Sequence, residues 1–302
     1  METIRVNIPR PSYLDVNGIK LHVMQAGDRD GDPVMLLHGF PEFWYGWHNQ
    51  ITPLAEAGYR VIIPDQRGYN LSSKPVGVEA YRIETLVSDV LGIMDSLGYD
   101  KVRLVGHDWG AVVAWFVALL HPERLEQLAI ANVPHPLIFS QTLRRDVRQM
   151  FRSVYGGIFQ IPLLPEQALQ MGDYATLTNL LKSVPSLQER ELRVYQQAWS
   201  QDKALTGMLN WYRAYVQYPP KLNGNQRVTV PTLMLWGMND PALISEMAEA
   251  SIELCDEGKL VLFKDASHFV QHDKAERVNE LLLDFFANGI NQDSPKTQAD
   301  LP

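Results

Sequence analysis

The sequence predicts an α/β protein with a mostly parallel sheet, flanking helices and a helical insert. In the first half of the chain, short apolar runs of strand length alternate with segments of helical periodicity. This alternation predicts βαβ units, in which helices connect parallel strands. From about 136 to 222 the pattern is helical, and the alternation of strands and helices then resumes. The insert therefore separates two segments of one sheet domain.

Each predicted strand is an apolar run bounded by turn residues. The strands are Ile19–Gln25, Val34–Leu37, Arg60–Ile63, Val102–Val105, Leu125–Ala131, Thr232–Trp236 and Lys259–Phe263. Apolar residues at helical spacing predict Ile51–Ala57, Ile83–Leu97, Ala111–Leu120, Pro241–Ser251 and Lys274–Ala287 as helices. We assign 1–135 and 223–290 to a core domain, 136–222 to a helical cap, and the polar residues 291–302 to a flexible tail.

Composition and charge exclude several classes of protein. The chain has 27 lysines and arginines against 35 acidic residues, and this net charge of −8 argues against a nucleic-acid binder. Its single cysteine, Cys255, excludes an intramolecular disulfide and a cysteine-rich zinc site. No apolar run approaches the roughly 20 residues that a bilayer span needs. The N-terminus has no signal-peptide pattern, so we expect a cytoplasmic protein.

An aspartate between two glycines follows one of the predicted strands. Gly106-His-Asp-Trp-Gly110 separates the strand Val102–Val105 from the apolar helix Ala111–Leu120, the context of a nucleophile elbow. The glycines permit a turn that projects the side chain of Asp108. A carboxylate is ionised at neutral pH and attacks without a base, which would form an ester of Asp108. An N-cap aspartate in a glycine-rich turn is the structural alternative.

A second loop is placed to bind the negative charge that develops when such an ester is attacked by water. His38-Gly-Phe-Pro41 directly follows the strand Val34–Leu37. The backbone N–H groups of Phe40 and Trp109 would together form an oxyanion hole. A Gly-Pro turn without a catalytic role is the alternative.

Two further loops supply an acid and a base. Asp240 follows the strand Thr232–Trp236, and His268 follows the strand Lys259–Phe263. Nucleophile 108, acid 240 and base 268 stand in the chain order of the α/β-hydrolase fold. Asp240 would fix the tautomer of His268, which would deprotonate a water. The other position for an acid, after the strand ending at 131, holds Asn132, which cannot be an anion.

These motifs resemble those of the epoxide hydrolases of the α/β-hydrolase superfamily, the soluble epoxide hydrolase type. The resemblance extends from about Tyr13 to Phe286. It rests on His38-Gly-Phe-Pro-Glu42, Asp65-Gln-Arg-Gly-Tyr69, Gly106-His-Asp-Trp-Gly110 and Asn210-Trp-Tyr-Arg213. It implies a mostly parallel eight-stranded sheet with an inserted cap, and a proline at 41 in the cis form.

The resemblance also implies the reaction and the role of two cap tyrosines. Tyr155 and Tyr212 would hold the epoxide oxygen, since a phenol can donate to a developing alkoxide and is otherwise neutral. Asp108 would attack a ring carbon, and water activated by His268 and Asp240 would release a vicinal diol. The scheme needs no metal and no organic cofactor, and it is typical of detoxification.

Two alternatives remain open from the sequence. A haloalkane dehalogenase would use the same Asp-His-Asp triad and hold halide with the indole of Trp109, but usually has a polar residue where Phe40 stands. A non-catalytic binding protein of the hydrolase fold would not need the full triad. A haloacetate dehalogenase needs arginines beside the nucleophile, and a serine esterase needs a serine in the elbow.

The aromatic residues near these motifs predict the substrate class. We expect Phe43, Trp109 and Trp211 to bind substrate, which favours aryl or alkyl epoxides. The expected partners are a small epoxide and water, with neither nucleic acid nor membrane. A homodimer is left open by the sequence.

Overall fold

A computed structural model describes residues 9–182, 184, 186–221, 224, 226–291 and 295–300. A nine-stranded sheet lies at the centre of these residues. Its strands are β1 (Arg10–Val16), β2 (Ile19–Ala26), β3 (Asp32–Leu37), β4 (Tyr59–Pro64), β5 (Val102–His107), β6 (Leu125–Ala131), β7 (Thr232–Gly237), β8 (Gly258–Phe263) and β9 (Thr297–Asp300). Their order is β1-β2-β4-β3-β5-β6-β7-β8-β9. Only the β1–β2 and β2–β4 pairs are antiparallel among these strands.

The helices divide into those that cover the sheet and those of the insert. The first group is α1 (His48–Glu56), α2 (Ile83–Leu97), α3 (Trp109–Leu120), α10 (Glu246–Ile252), α11 (Val270–Asp273) and α12 (Ala275–Asn288). The second group is α4 (Pro136–Arg145), α5 (Val147–Arg152), α6 (Val154–Ile158), α7 (Leu164–Leu181), α8 (Glu189–Trp199) and α9 (Ala204–Gln217). The helix α7 is interrupted at 171–174, where four residues leave helical geometry.

Buried side chains form one hydrophobic cluster on each side of the sheet. One cluster joins α1 and α12 to the sheet, with Trp47, Val61 and Phe285 among its members. The other joins α2 and α3 to the sheet and extends into the cap. Because both faces are covered, the central strands contain continuous buried apolar stretches, such as Val34–Leu37 and Leu128–Ala131.

Tryptophan side chains join the cap to the core. The indole N–H of Trp211 donates to the carbonyl of Arg67 at 2.9 Å, and that of Trp199 donates to the carbonyl of Pro41 at 2.6 Å. Both acceptors lie in loops at the carboxyl ends of parallel strands. The cap therefore covers the edge of the sheet where ligands bind in open α/β folds. The predicted domain boundary at 222/223 lies outside the described residues.

The α/β-hydrolase class is as predicted, but the sheet has nine described strands where eight were expected. The two strands that were not among the seven assigned from the sequence, β1 and β9, lie at the two edges. β1 is largely exposed, and β9 has the polar sequence Thr-Gln-Ala-Asp. Residues 297–300, assigned to the flexible tail, pair in parallel with β8. Edge strands need no buried apolar face, so their sequences lack the pattern on which strand prediction rests.

Candidate active site

Asp108 occupies a strained turn between β5 and α3. Its φ of 48° and ψ of −124° are rare for a residue with a side chain. A Cβ atom at Gly106 would lie 2.6 Å from the Cα of Ala111, and one at Gly110 would lie 2.2 Å from the carbonyl oxygen of Leu37. Only glycine fits at both positions, and the turn directs the Asp108 side chain into a cavity between core and cap.

The loop after β3 places a backbone donor on the Asp108 carboxylate. The Phe40 N–H donates to Oδ1 of Asp108 at 2.6 Å, and the Phe40–Pro41 peptide bond is cis. A Cβ at Gly39 would lie 2.2 Å from the Cβ of Asp108, so this approach also needs glycine. Trp109 begins α3, and its N–H is among those at a helix start that have no acceptor within the helix.

His268 lies between two carboxylates. Its Nδ1 is 2.6 Å from Oδ2 of Asp240, and its Nε2 is 3.4 Å from Oδ2 of Asp108. Because Nδ1 faces the Asp240 carboxylate, the neutral ring carries its proton on Nδ1 and presents Nε2 to the cavity as a base.

Asn132 holds the acid of this set, a role that sequence analysis missed. Its Nδ2 donates to Oδ2 of Asp240 at 2.9 Å, and its Oδ1 accepts from the Gly237 N–H at 2.8 Å. The other oxygen of Asp240 accepts from the N–H groups of Ala242 and Leu243. The Asn132 amide therefore holds the Asp240 carboxylate in place. It does so from the loop after β6, the other position for the acid in this fold. Its location after β6 was the available signal.

The charges of the three side chains are coupled. Burial favours neutral His268, but the carboxylates of Asp240 and Asp108 outweigh it and raise the pKa of His268 well above its ordinary value. Burial likewise opposes ionisation of both aspartates, and His268 outweighs it and lowers the pKa of each. At neutral pH the free site therefore holds an imidazolium between two carboxylates.

The cavity in front of Asp108 has a volume of about 440 Å³ and largely apolar walls. Tyr155 from α6 and Tyr212 from α9 line it together with Asp108, Trp109 and His268. The rings of the two tyrosines lie 5.8 Å apart between centroids, and the Tyr212 ring meets that of Trp109 edge to face at 4.9 Å. The structure thus brings four of the five predicted catalytic side chains around one cavity, and the fifth, Asp240, contacts His268.

Both phenols are held in the protonated form. Burial raises the pKa of Tyr212 well above its ordinary value, and the charge of Asp108 adds to this effect. Tyr155 is 39% exposed as a residue, but desolvation within the cavity still raises the pKa of its hydroxyl, with contributions from Asp108 and Asp240. Each hydroxyl can therefore donate a hydrogen bond within the electric field of the Asp108 carboxylate.

Two aromatic residues expected at the substrate lie elsewhere. Phe43 is buried against Tyr195, and Trp211 is buried with its indole bonded to Arg67. Neither is among the described residues that line the cavity, so both leave the substrate-binding set. Tyr215, which sequence analysis missed, does line it. Residues three apart share a helix face, so the spacing from Tyr212 was the available signal.

A buried network lies behind His268, on the side away from the cavity. The Glu42 carboxylate accepts from His272 at 2.8 Å, from the Tyr195 hydroxyl at 2.9 Å and from Gln271 at 3.0 Å. His107 is 3.2 Å from the same carboxylate through Nδ1, and its Nε2 contacts the His268 carbonyl at 2.9 Å. Glu42 thus links the loop after β3, which carries the Phe40 N–H, to the cap and to the loop that carries His268.

Neither a metal-binding cluster nor a membrane-spanning helix occurs in the described ranges. No group of three or more histidine, cysteine or acidic side chains there could hold a metal ion. None of the described helices combines the length and hydrophobicity that a bilayer crossing requires.

Comparisons with known proteins identify the family of the chain. A family model described as the alpha/beta hydrolase fold matches residues 32–275. The chain is 44% identical to AB hydrolase superfamily protein YfhM of Bacillus subtilis, over 91% of this chain and 97% of that protein. It is 37% identical to epoxide hydrolase 4 of Mus musculus, over 92% of this chain and 79% of that protein.

A solved structure is also similar to this chain over nearly its whole length. The Bacillus megaterium epoxide hydrolase in complex with an inhibitor superposes with a TM-score of 0.86 at 30% identity, over 92% of this chain and all of that one. Identity at this level over nearly the whole length indicates common fold and family. The chain belongs to the epoxide hydrolases of the α/β-hydrolase superfamily.

Proposed function

We propose that this protein hydrolyses apolar epoxides to vicinal diols through an alkyl ester of Asp108. The observation that carries the proposal is the single cavity that holds Asp108, His268 and the two phenols. The Phe40 N–H donates a hydrogen bond to Oδ1 of Asp108, so Oδ2 is the oxygen that attacks the epoxide. A bond forms between Oδ2 and a ring carbon, and the ring C–O bond breaks. Its electron pair stays on the epoxide oxygen, which takes a proton from Tyr155 or Tyr212.

In the second step water attacks the ester carbon. Alkylation removes the negative charge of Asp108, and the pKa of His268 falls because only Asp240 still stabilises the imidazolium. The imidazolium proton of His268 passes to the tyrosinate that ring opening left behind, and neutral His268 then accepts a proton from the attacking water at Nε2. The negative charge that develops on Oδ1 is stabilised by the N–H groups of Phe40 and Trp109. The ester bond then breaks as His268 gives this proton to the departing diol oxygen. The new carboxyl group, which keeps the water oxygen, passes its remaining proton to His268, and the free site is restored.

The leaving group follows from the donors that face the carboxylate. A halide would need indole N–H donors, and Trp109 is the one tryptophan among the described residues that line the cavity. Phe40 adds no polar side chain to the site. Two protonated phenols suit an oxygen that becomes an alkoxide, which favours an epoxide over a haloalkane.

The walls of the cavity define the substrate class. Val112, Pro136, Phe139 and Leu243 are among its apolar lining, and its volume of about 440 Å³ lies in the range of small-molecule sites. We therefore propose aryl and alkyl epoxides as substrates, with styrene oxide as the first compound to test.

The test is to trap the ester. We expect His268→Gln to react with one equivalent of styrene oxide and to gain the mass of one epoxide on the peptide that contains Asp108. Wild-type protein turning over in heavy-oxygen water should incorporate the label into the same carboxylate. His121→Gln, which changes a partly exposed histidine at the opposite end of α3 from Asp108, is the matched control and should turn over normally.

Two results would contradict the proposal. Diol formation without an adduct in His268→Gln and without label in Asp108 would indicate direct attack by water on the epoxide. Release of bromide from bromoalkanes by a protein that consumes no epoxide of a broad panel would indicate a dehalogenase.

A further inference from the structure

The two tyrosines of the cavity come from cap segments that differ in how firmly they are packed. Tyr212 belongs to the fourteen-residue helix α9, which is buried along one face. Tyr155 belongs to α6, which has five residues and no buried ones. Val154 and Ile158 on α6 are about half exposed, at 52% and 50%. Hydrophobic burial therefore does little to hold Tyr155 at its distance from Tyr212.

Arg213, next to Tyr212, ties the chain beyond α6 to α9. Its Nε donates to the carbonyl of Phe159 at 2.8 Å, and one terminal nitrogen donates to the carbonyl of Ile161 at 3.0 Å. The two terminal nitrogens also donate to the two oxygens of the Glu166 carboxylate, at 2.7 and 3.0 Å. A contact of 3.2 Å with Asn210 uses the fifth N–H. A guanidinium has five donors, and all of them are engaged here.

Gln160 forms a second connection between the same segments. Its side-chain amide donates to the carbonyl of Tyr212 and to the carbonyl of Gly156, each at 3.1 Å. One amide group thus bonds to the backbone of one tyrosine and to the residue after the other. The Phe159 ring contacts both phenol rings, with centroid distances of 5.7 Å to Tyr155 and 5.0 Å to Tyr212.

We propose that Arg213 and Gln160 are positioning residues that set the spacing of the two phenols for ring opening. This inference rests on the proposed function. The fork of Arg213 fixes the segment that leads away from Tyr155, and Gln160 fixes α6 against α9. Neither side chain is among the described cavity-lining residues, so each acts through the tyrosines. Their effect therefore falls on alkylation of Asp108, and ester hydrolysis by His268 and Asp240 does not depend on them.

The experiment separates the two chemical steps. Single-turnover stopped-flow fluorescence with styrene oxide gives the alkylation rate, and decay of the pre-formed ester gives the hydrolysis rate. We expect Arg213→Lys, which keeps the charge but lacks the fork, to slow alkylation about 10- to 100-fold, as expected for displaced reacting groups. Gln160→Ala should act in the same direction. Ester decay should change less than about two-fold in both.

A double-mutant cycle tests the route of the effect. If Arg213 acts through Tyr155, Arg213→Lys should slow alkylation little further in a Tyr155→Phe background, because the phenol it positions is already absent. Arg148→Lys is the matched control, since Arg148 is an exposed cap arginine that forms ion pairs with Asp146 and Glu246. It should leave both rates unchanged.

The outcomes separate this inference from the proposed function. Equal slowing of both steps, or the same fold-loss with and without the Tyr155 hydroxyl, would overturn the positioning role. If Arg213→Lys does not fold, the Gln160→Ala variant alone decides the question, because it removes three hydrogen bonds and no charge. Failure of the wild-type protein to form any ester would instead contradict the proposed function.

Discussion

Replacing Asp108 by asparagine should lower the pKa of His268 strongly. Asparagine keeps the shape of the side chain and an oxygen that can accept from the Phe40 N–H, but it carries no charge. The substitution therefore reproduces the electrostatic change that the proposed ester brings to His268. A large fall in the pKa would show that alkylation converts an imidazolium into a base.

The size of the effect follows from one distance. His268 Nε2 lies 3.4 Å from Oδ2 of Asp108. Coulomb's law at that distance gives about 5 kcal/mol at an effective dielectric constant of about 20, and about 1 kcal/mol in bulk water. Since about 1.4 kcal/mol corresponds to one pKa unit, the pKa should fall by about 1 to 3.5 units. The site is largely shielded from solvent, with the two side chains 9% and 19% exposed, which favours the upper half of this range.

The assay is an NMR titration of protein with isotopically labelled histidine rings, with His268 assigned from a His268→Gln sample. Intact mass must confirm that residue 108 is still asparagine at the end. Asp265→Asn is the control, because it removes an exposed carboxylate that is paired with Lys274 only three positions before His268. It should leave the His268 titration in place.

A fall of less than about half a unit, or a rise, would refute the reasoning. The Asp108 charge would then not be what holds the proton on His268, and the formation of the ester could not activate the base for the second step.

Three further predictions follow. Gly39→Ala should reduce turnover about 100-fold or more, because its methyl group would lie 2.2 Å from the Cβ of Asp108 and displace the loop that carries the Phe40 N–H. Glu42→Gln should lower the free energy of unfolding by about 3 to 5 kcal/mol at neutral pH, since it breaks a buried charged network. Tyr215→Phe should raise KM about 5- to 10-fold for epoxides that carry an ether oxygen, but not for hydrocarbon epoxides, because its side chain lines the cavity and its hydroxyl can donate to that oxygen.

Each of these has its own measurement and contrary outcome. A crystal structure or thermal unfolding curve of Gly39→Ala must show a folded protein, and unchanged turnover would contradict the steric argument. Urea unfolding measures Glu42→Gln, with exposed Glu253→Gln as the control, and equal midpoints would contradict the prediction. Equal KM changes for both epoxide classes would remove Tyr215 from substrate recognition.

The pH dependence of the Glu42 effect has a definite sign. Burial opposes its ionisation, but His272 and His107 outweigh burial and lower the pKa of Glu42 well below its ordinary value of 4.5. A carboxyl group with a depressed pKa in the folded state stabilises the fold above its unfolded pKa, and this stabilisation is lost as pH falls through the folded value. Wild type should therefore lose more stability below about pH 4.5 than Glu42→Gln does, as urea unfolding at several pH values would measure.

The sequence alone determined the central strands and the loops that follow them. A buried parallel strand is mostly apolar, so Val102–Val105 and Thr232–Trp236 could be found without a structure. Because parallel strands end at one edge of the sheet, the side chains after them were expected to converge. Asp108, Asp240 and His268 do meet there, since each is placed by a local strand-to-loop junction.

Tertiary structure alone decided which way the cap side chains face and which distant groups support the site. Trp211 and Tyr215 lie on one helix, yet only Tyr215 lines the cavity, because the docking of α9 on the core sets its rotation. The bonds from Asn132 to Asp240 and from Arg213 to Glu166 join residues 108 and 47 positions apart. Local patterns record how each segment folds, whereas such contacts depend on how the folded segments pack together.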